Sequence, residues 1–456
     1  MAGKELLRTF SISLLMLVYS VSANSQTHSE QAATSKKLNV VGEKNLQLSV
    51  ANFKQLRNAH INDLIEIDFM ASAGFADPLQ FQRIDLYAKD TKIIVSDGIS
   101  ERELEKSGRL FFVAIDRSRS AGFSLDPKTG EINGLLVEGA QSYRITNRHG
   151  SAVKQNEVLI SDLSDEAAGS VFSCENNNHP DISTHLSQQI NSDVLPSLNA
   201  MTQGTAVLFE ATIAVDTDNE FLWNKFANNE NDALEWIENL FVRLNVIFER
   251  DLRLRTLLGT TFLRKDISPS GNPDFNADPE GFNDDLYNFG DYWRDNQQDV
   301  DRVFTALFTG KDISNNSFSG VAWINGYCSN RYGYSFNRIG KNLSASFVAG
   351  GVGHEIGHNL GSRHTHCEKL ANNGSDYVDT CYAEEDGCYA GTPTCPAGGA
   401  GTIMSYCHQT PEGCDNSDVF HPLIIGKLDS RIVSNTPGCI SELDDTNLIL
   451  MDGFEP

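Results

Sequence analysis

The chain is poor in positive charge, in long apolar runs and, through its first half, in cysteine. Its 456 residues carry 36 Lys and Arg against 61 Asp and Glu, a net charge of −25. Such a surface repels phosphate, which excludes nucleic acid and anionic membrane as main partners. Beyond the N-terminus no run approaches the roughly 18 apolar residues of a membrane span, so no anchor is expected after signal removal. Cys174 stands alone, and the other eight cysteines run from Cys328 to Cys439. The polar stretch 175–204 has no dibasic pair, which argues against a basic-site convertase cutting there.

A leader is present. Lys4 and Arg8 precede an apolar stretch at 10–21, and Val21-Ser22-Ala23 offers small residues for cleavage. Residues 1–23 therefore predict a signal peptide and a secreted protein. In an exported chain, an even set of eight cysteines implies disulfides rather than zinc ligation. A hydrophobic content of 40% fits globular domains, and the length suits two or three of them. Residues 40–160 look strand-like: 110–115 is a short run of β-formers, and Asp126-Pro127-Lys128-Thr129-Gly130 reads as a turn before a strand at 132–137. Residues 24–203 are taken as a β-rich N-terminal domain with its linker. The second half alternates, with a buried strand at 209–215 and a strand at 320–324. Trp236, Ile237, Leu240, Phe241, Leu244, Ile247 and Phe248 mark an amphipathic helix. Residues 371–402 are loop-rich, and 446–456 form a tail.

The chemistry concentrates in one stretch. His354-Glu355-Ile356-Gly357-His358-Asn359-Leu360-Gly361-Ser362-Arg363-His364 fills every fixed position of H-E-x-x-H-x-x-G-x-x-H. On a helix over 346–360, His354 and His358 share a face and can meet one ion. Gly361 permits the left-handed turn that brings His364 back to it. Three His ligands and an open fourth position describe a catalytic zinc site. Glu355 lies beside that open position as the general base. Downstream, Gly401-Thr402-Ile403-Met404-Ser405-Tyr406 places a Met in a tight turn.

These motifs resemble the metzincin metalloproteases, and within them the adamalysin (reprolysin) group. The likeness extends to Leu307-Phe308-Thr309-Gly310-Lys311-Asp312, to Gly320-Val321-Ala322-Trp323 with Cys328, and to Glu210, covering roughly 204–440. Thr365, where adamalysins carry Asp, and the Met-Ser-Tyr turn depart from that group. The resemblance implies an α/β fold: a metzincin catalytic domain over 204–445, with a twisted mixed sheet and a zinc-binding helix, behind a β-rich pro-domain. It implies a Cys328–Cys439 disulfide and peptide substrates laid along the edge strand near 320–323. It further implies a Met-turn at Met404 and a Tyr406 that supports the oxyanion or merely packs below the site. Cys174 would be a cysteine switch on the zinc, or else a buried or intermolecularly paired thiol. A Ca2+ ion near Glu210 is suggested, although Val303 falls where an Asp is usual and Asp301 is two residues away. His366 and His408 are assigned to loops or pocket walls, and His421, before Pro422, to a structural role. A secreted zinc metalloendopeptidase made as a zymogen is the expectation. A zinc amidohydrolase on a non-protein amide and a non-catalytic adhesion module are the alternatives.

Overall fold

The computed structural model describes residues 44–67, 79–115, 119–147, 157–163, 171–174, 207–265, 282–311, 314–370, 376–411 and 413–443. The expected signal segment, the linker 175–204 and the tail lie outside them.

The N-terminal region is built on β1 (Lys44–Gln47), helix α1 (Val50–Asn58), β2 (Leu64–Ile67), β3 (Leu79–Ile84), β4 (Ile93–Ser96), β5 (Glu101–Leu104), β6 (Leu110–Ile115), β7 (Arg119–Leu125), β8 (Ile132–Glu138), β9 (Gln141–Asn147), β10 (Glu157–Asp162) and β11 (Val171–Cys174). Eight of these strands form an antiparallel sheet in the order β1-β10-β9-β8-β7-β6-β3-β2. The expected turn joins β7 to β8. Asp126 accepts from the Lys128 amide (2.7 Å) and the Thr129 hydroxyl (2.7 Å), and Gly130 closes it at φ +80°.

The second half contributes β12 (Phe209–Thr217), α2 (Glu230–Leu252), β13 (Leu254–Arg264), α3 (Phe282–Asn296), β14 (Phe304–Thr309), β15 (Ser317–Ala322), β16 (Tyr334–Ile339), α4 (Ala345–Leu360) and α5 (Pro422–Ser434). Its sheet runs β11-β15-β16-β14-β12-β13-β4-β5. β12, β13, β14 and β16 are parallel, and β15 is antiparallel to β16. This is the expected mixed sheet. Trp323 and Ile324, read as part of the edge strand, lie just past its end.

The sequence predicts a separate β-rich domain before residue 160, and the structure differs. β4 and β5 leave that domain and extend the second sheet beyond β13, while β11 adds to its opposite edge. The cause is apolar pairing. Ile93 and Val95 are buried in one core with Leu86, Ile213, Phe241 and Leu258. The Leu258 amide donates to the Leu86 carbonyl at 2.8 Å, and the Ala88 amide to the Leu258 carbonyl at 3.0 Å.

Helix α2 lies between the two sheets. Asn229 caps its N-terminus by accepting from the Asn231 amide at 3.1 Å, and Arg253 ends it in the left-handed region at φ +53°. Its apolar stripe faces the second sheet, as the periodicity predicts. Its polar stripe, which the pattern would leave in water, is covered by the N-terminal sheet. There Arg243 donates to Asn133 Oδ1 (2.6 Å), Gly134 O (3.2 Å) and Ser346 Oγ (2.7 Å). Gly122 of β7 makes the close approach possible: a Cβ there would come within 2.7 Å of Val246.

Candidate metal centre

Ser344 caps α4 by accepting from the Phe347 amide at 3.3 Å, and Gly361 ends the helix at φ +104°. That φ favours glycine, and a Cβ there would also have to displace the Arg431 guanidinium, 1.2 Å away. The chain reverses there, and His364 returns to the pair on the helix. His358 Nε2 is 3.1 Å from His354 Nε2 and 3.1 Å from His364 Nε2. Nitrogens bound to a tetrahedral zinc at about 2.0–2.1 Å stand about 3.3 Å apart, so the triad fits that ion closely.

The far side of each ring fixes its orientation. His354 Nδ1 lies 2.6 Å from Ile403 O, His358 Nδ1 2.8 Å from Ser362 O, and His364 Nδ1 2.6 Å from Glu385 Oε2. A proton held on each Nδ1 leaves the Nε2 lone pair facing the shared centre. Burial, joined by repulsion from neighbouring imidazoles, lowers the pKa of His354, and burial lowers that of His364, which favours the neutral ligand form.

Glu355 is fully buried, and neither carboxylate oxygen makes a hydrogen bond of ordinary geometry. Burial raises its pKa to about 8, and the nearby Cys174 thiol opposes that rise. The carboxylate occupies space that a side chain at Gly320 would claim, because a Cβ there would lie 2.4 Å from Oε1. Beneath the helix, Met404 is buried against Gly357, where a Cβ would meet its sulfur at 2.6 Å. Thr365 secures this turn: its amide lies 3.0 Å and its hydroxyl 3.2 Å from Met404 O, which accepts from them.

The strand β11 covers the centre. It pairs in parallel with β15, setting Cys174 opposite Gly320 and Phe172 opposite Phe318. Cys174 Sγ is 3.7 Å from His358 Nε2, and the Tyr406 hydroxyl donates to Cys174 O at 2.7 Å. The ligand atoms of Cys174, His354, His358 and His364 all lie within 4.8 Å of one another, so they can hold one four-coordinate cation.

Residues 210–420 match the Reprolysin_5 family model, described as metallo-peptidase family M12. They form a metzincin-like metalloprotease domain. No curated protein matches the chain. Among solved structures, the crystal structure of metalloproteinase-II from Bacteroides fragilis is similar at 11% identity with a TM-score of 0.35, over 78% of this chain and 87% of that one.

Within the metalloprotease domain, one residue escapes a sequence reading. Glu385 accepts from both His364 and His366, at 2.6 and 2.8 Å. Burial works against its charge, but these two imidazoles hold its pKa well below the usual carboxylate range. Its only sequence signal is an acidic run, Glu384-Glu385-Asp386, in the loop closed by the Cys367–Cys388 disulfide. Glu385→Gln should weaken zinc retention about 10- to 100-fold, the usual scale for losing such a partner. Chelator competition measures this; unchanged affinity would show that the ring is held without it.

Other expectations resolve as follows. Cys328 is joined to Cys439, the pairing the resemblance implied, and Cys367–Cys388, Cys381–Cys407 and Cys395–Cys414 complete the set. His421 caps α5, accepting from the Leu423 amide at 3.2 Å. His408 faces the cleft, 3.0 Å from Phe172 O. A calcium ion finds no support at Glu210, whose partner in the β12–β13 register is Arg255, while Val303 is sealed in the apolar core.

Proposed function

We propose that this protein is an exported zinc metalloendopeptidase, made as a zymogen whose N-terminal region holds it latent. The observation that carries this is the convergence of three imidazole Nε2 atoms with a fully buried Glu355 beside them. His354, His358 and His364 would hold zinc, which supplies Lewis acidity and lowers the pKa of water. Glu355 would take a proton from the attacking water and return it to the leaving amine. Tyr406, whose hydroxyl already donates to a peptide carbonyl in the cleft, would stabilise the oxyanion. β15 would bind an extended peptide through its main chain, as it binds β11. In the precursor Cys174 would take the fourth ligand position as thiolate and exclude water.

An edge that accepts a strand favours a peptide over a small amide, and an intact Glu355 argues against a purely adhesive role. Elemental analysis should find one zinc per chain, lost in His358→Ala. The processed protein should cut a peptide library at internal bonds, with chelator abolishing and zinc restoring the cuts. Full zinc occupancy in His358→Ala, or release of terminal groups alone, would sink the proposal.

A further inference from the structure

One side chain of the covering strand does something the latency of the site does not require. Side chains two apart on a strand share a face about 7 Å apart. Cys174 points at the histidines, so Phe172 points to the same side, one step along the cleft. Its ring lies in a formed depression. It stacks on Phe318 with centroids 5.4 Å apart and planes within 2°. It meets His354 and His408 edge-on, at 5.5 and 5.0 Å. The depression is built from the sequence upward. Phe318 is buried, and its ring sinks against α4 because residue 351 is glycine, where a Cβ would lie 2.6 Å from the ring. His408 is doubly engaged. Nδ1 is 3.0 Å from Asn416 Nδ2, and Nε2 is 3.0 Å from Phe172 O. The same imidazole thus touches both the ring and the main chain of the residue that fills the pocket.

A thiol on the zinc would block the site with any neighbour at position 172. The matched walls instead describe recognition. An edge strand, a histidine and a helix glycine converge on a flat ring that leaves when β11 leaves.

We propose that the depression filled by Phe172 is a specificity pocket, and that Phe318 and His408 select peptides carrying Phe, Tyr or Trp at one fixed position within two residues of the cut bond. Phe318 supplies the stacking face. His408 supplies an edge contact and a hydrogen bond to the same residue's carbonyl. The inference rests on the protease function proposed above and names its substrate class.

The test uses the zinc-loaded processed protein, from which β11 and its Phe172 have been removed. A peptide library locates the preferred position. A fluorogenic pair, identical except for Phe or Ala there, then measures kcat/KM. The Phe peptide should be preferred at least about tenfold, the scale on which an apolar pocket separates side chains differing by more than a methylene. Phe318→Ala should collapse that ratio towards one, whereas Phe318→Tyr should keep it. Because Phe318 also packs on α4, His408→Ala provides a variant at the opposite wall, and it should lower the ratio as well. Internal cleavage with no aromatic bias overturns the pocket and leaves the protease function standing. A bias that survives both Phe318→Ala and His408→Ala overturns these residues as its source. Absence of any cleavage overturns both proposals.

Discussion

Glu355→Gln should leave one zinc per chain and lower peptide cleavage by roughly 100- to 10,000-fold, the range for loss of a general base. The amide nearly matches the carboxylate in size, so it occupies the space left open by Gly320, and the ligand triad need not move. What it cannot do is accept a proton. Parallel measurement of zinc content and of kcat on one peptide decides the matter. Near-normal kcat with full zinc would assign the base elsewhere. A loss accompanied by loss of zinc would show that Glu355 shapes the site instead.

Cys174→Ser should turn a latent precursor into one that cleaves at least about tenfold faster before any processing. Serine keeps the size and loses the soft ligand. A tenfold rise needs only about 1.4 kcal/mol of differential stabilisation, which is modest for a metal–thiolate bond. The remaining hold on β11 is weaker: four register pairs with β15, the Tyr406 hydroxyl on Cys174 O, and the ring of Phe172. Activity of the intact precursor on a fluorogenic peptide, measured before any cut appears on a gel, reads the effect. Equal latency of the two precursors would leave the strand itself as the barrier and remove the thiol from the account.

The candidate metal site was largely legible in the chain because its geometry is local. His354 and His358 are tied by helical spacing, and Gly361 returns His364 by a left-handed turn that favours glycine. Met404 was readable through a motif, although the reason for it, a sulfur seated against Gly357, needed coordinates. Glu385 was not legible. Its role depends on a disulfide-closed loop folding back over His364 and His366, and loops carry no periodicity that would announce where they return. The strands of the N-terminal region were visible as strands, but their partners were not. Short β-segments such as 93–96 hold no information about which sheet they join. That choice was made by Ile93 and Val95 packing into a core assembled mostly from residues more than a hundred positions away. The polar stripe on α2 misled for a related reason. Arg243 reads as a solvent-facing residue until Asn133 and Gly134 appear across from it.

The borders of the catalytic sheet have a practical consequence. Both are supplied by chain that precedes residue 175: β11 at one end, and the β4–β5 hairpin at the other. A cut within 175–206 detaches only one of them. β11 loses its tether on one side, whereas β4 keeps three buried side chains and its register with Thr261–Arg264. The outermost strand, β5, turns Glu101, Arg102 and Glu103 to solvent, a charged selvedge that discourages further strands from adding. Strip that hairpin away and Thr261–Arg264, the stretch of β13 that it pairs, presents bare amides and carbonyls. A preparation trimmed to residues 207–443 would then carry a ready template for lateral self-association, so handling the processed protein with its N-terminal fragment still attached is the safer course for keeping it monodisperse.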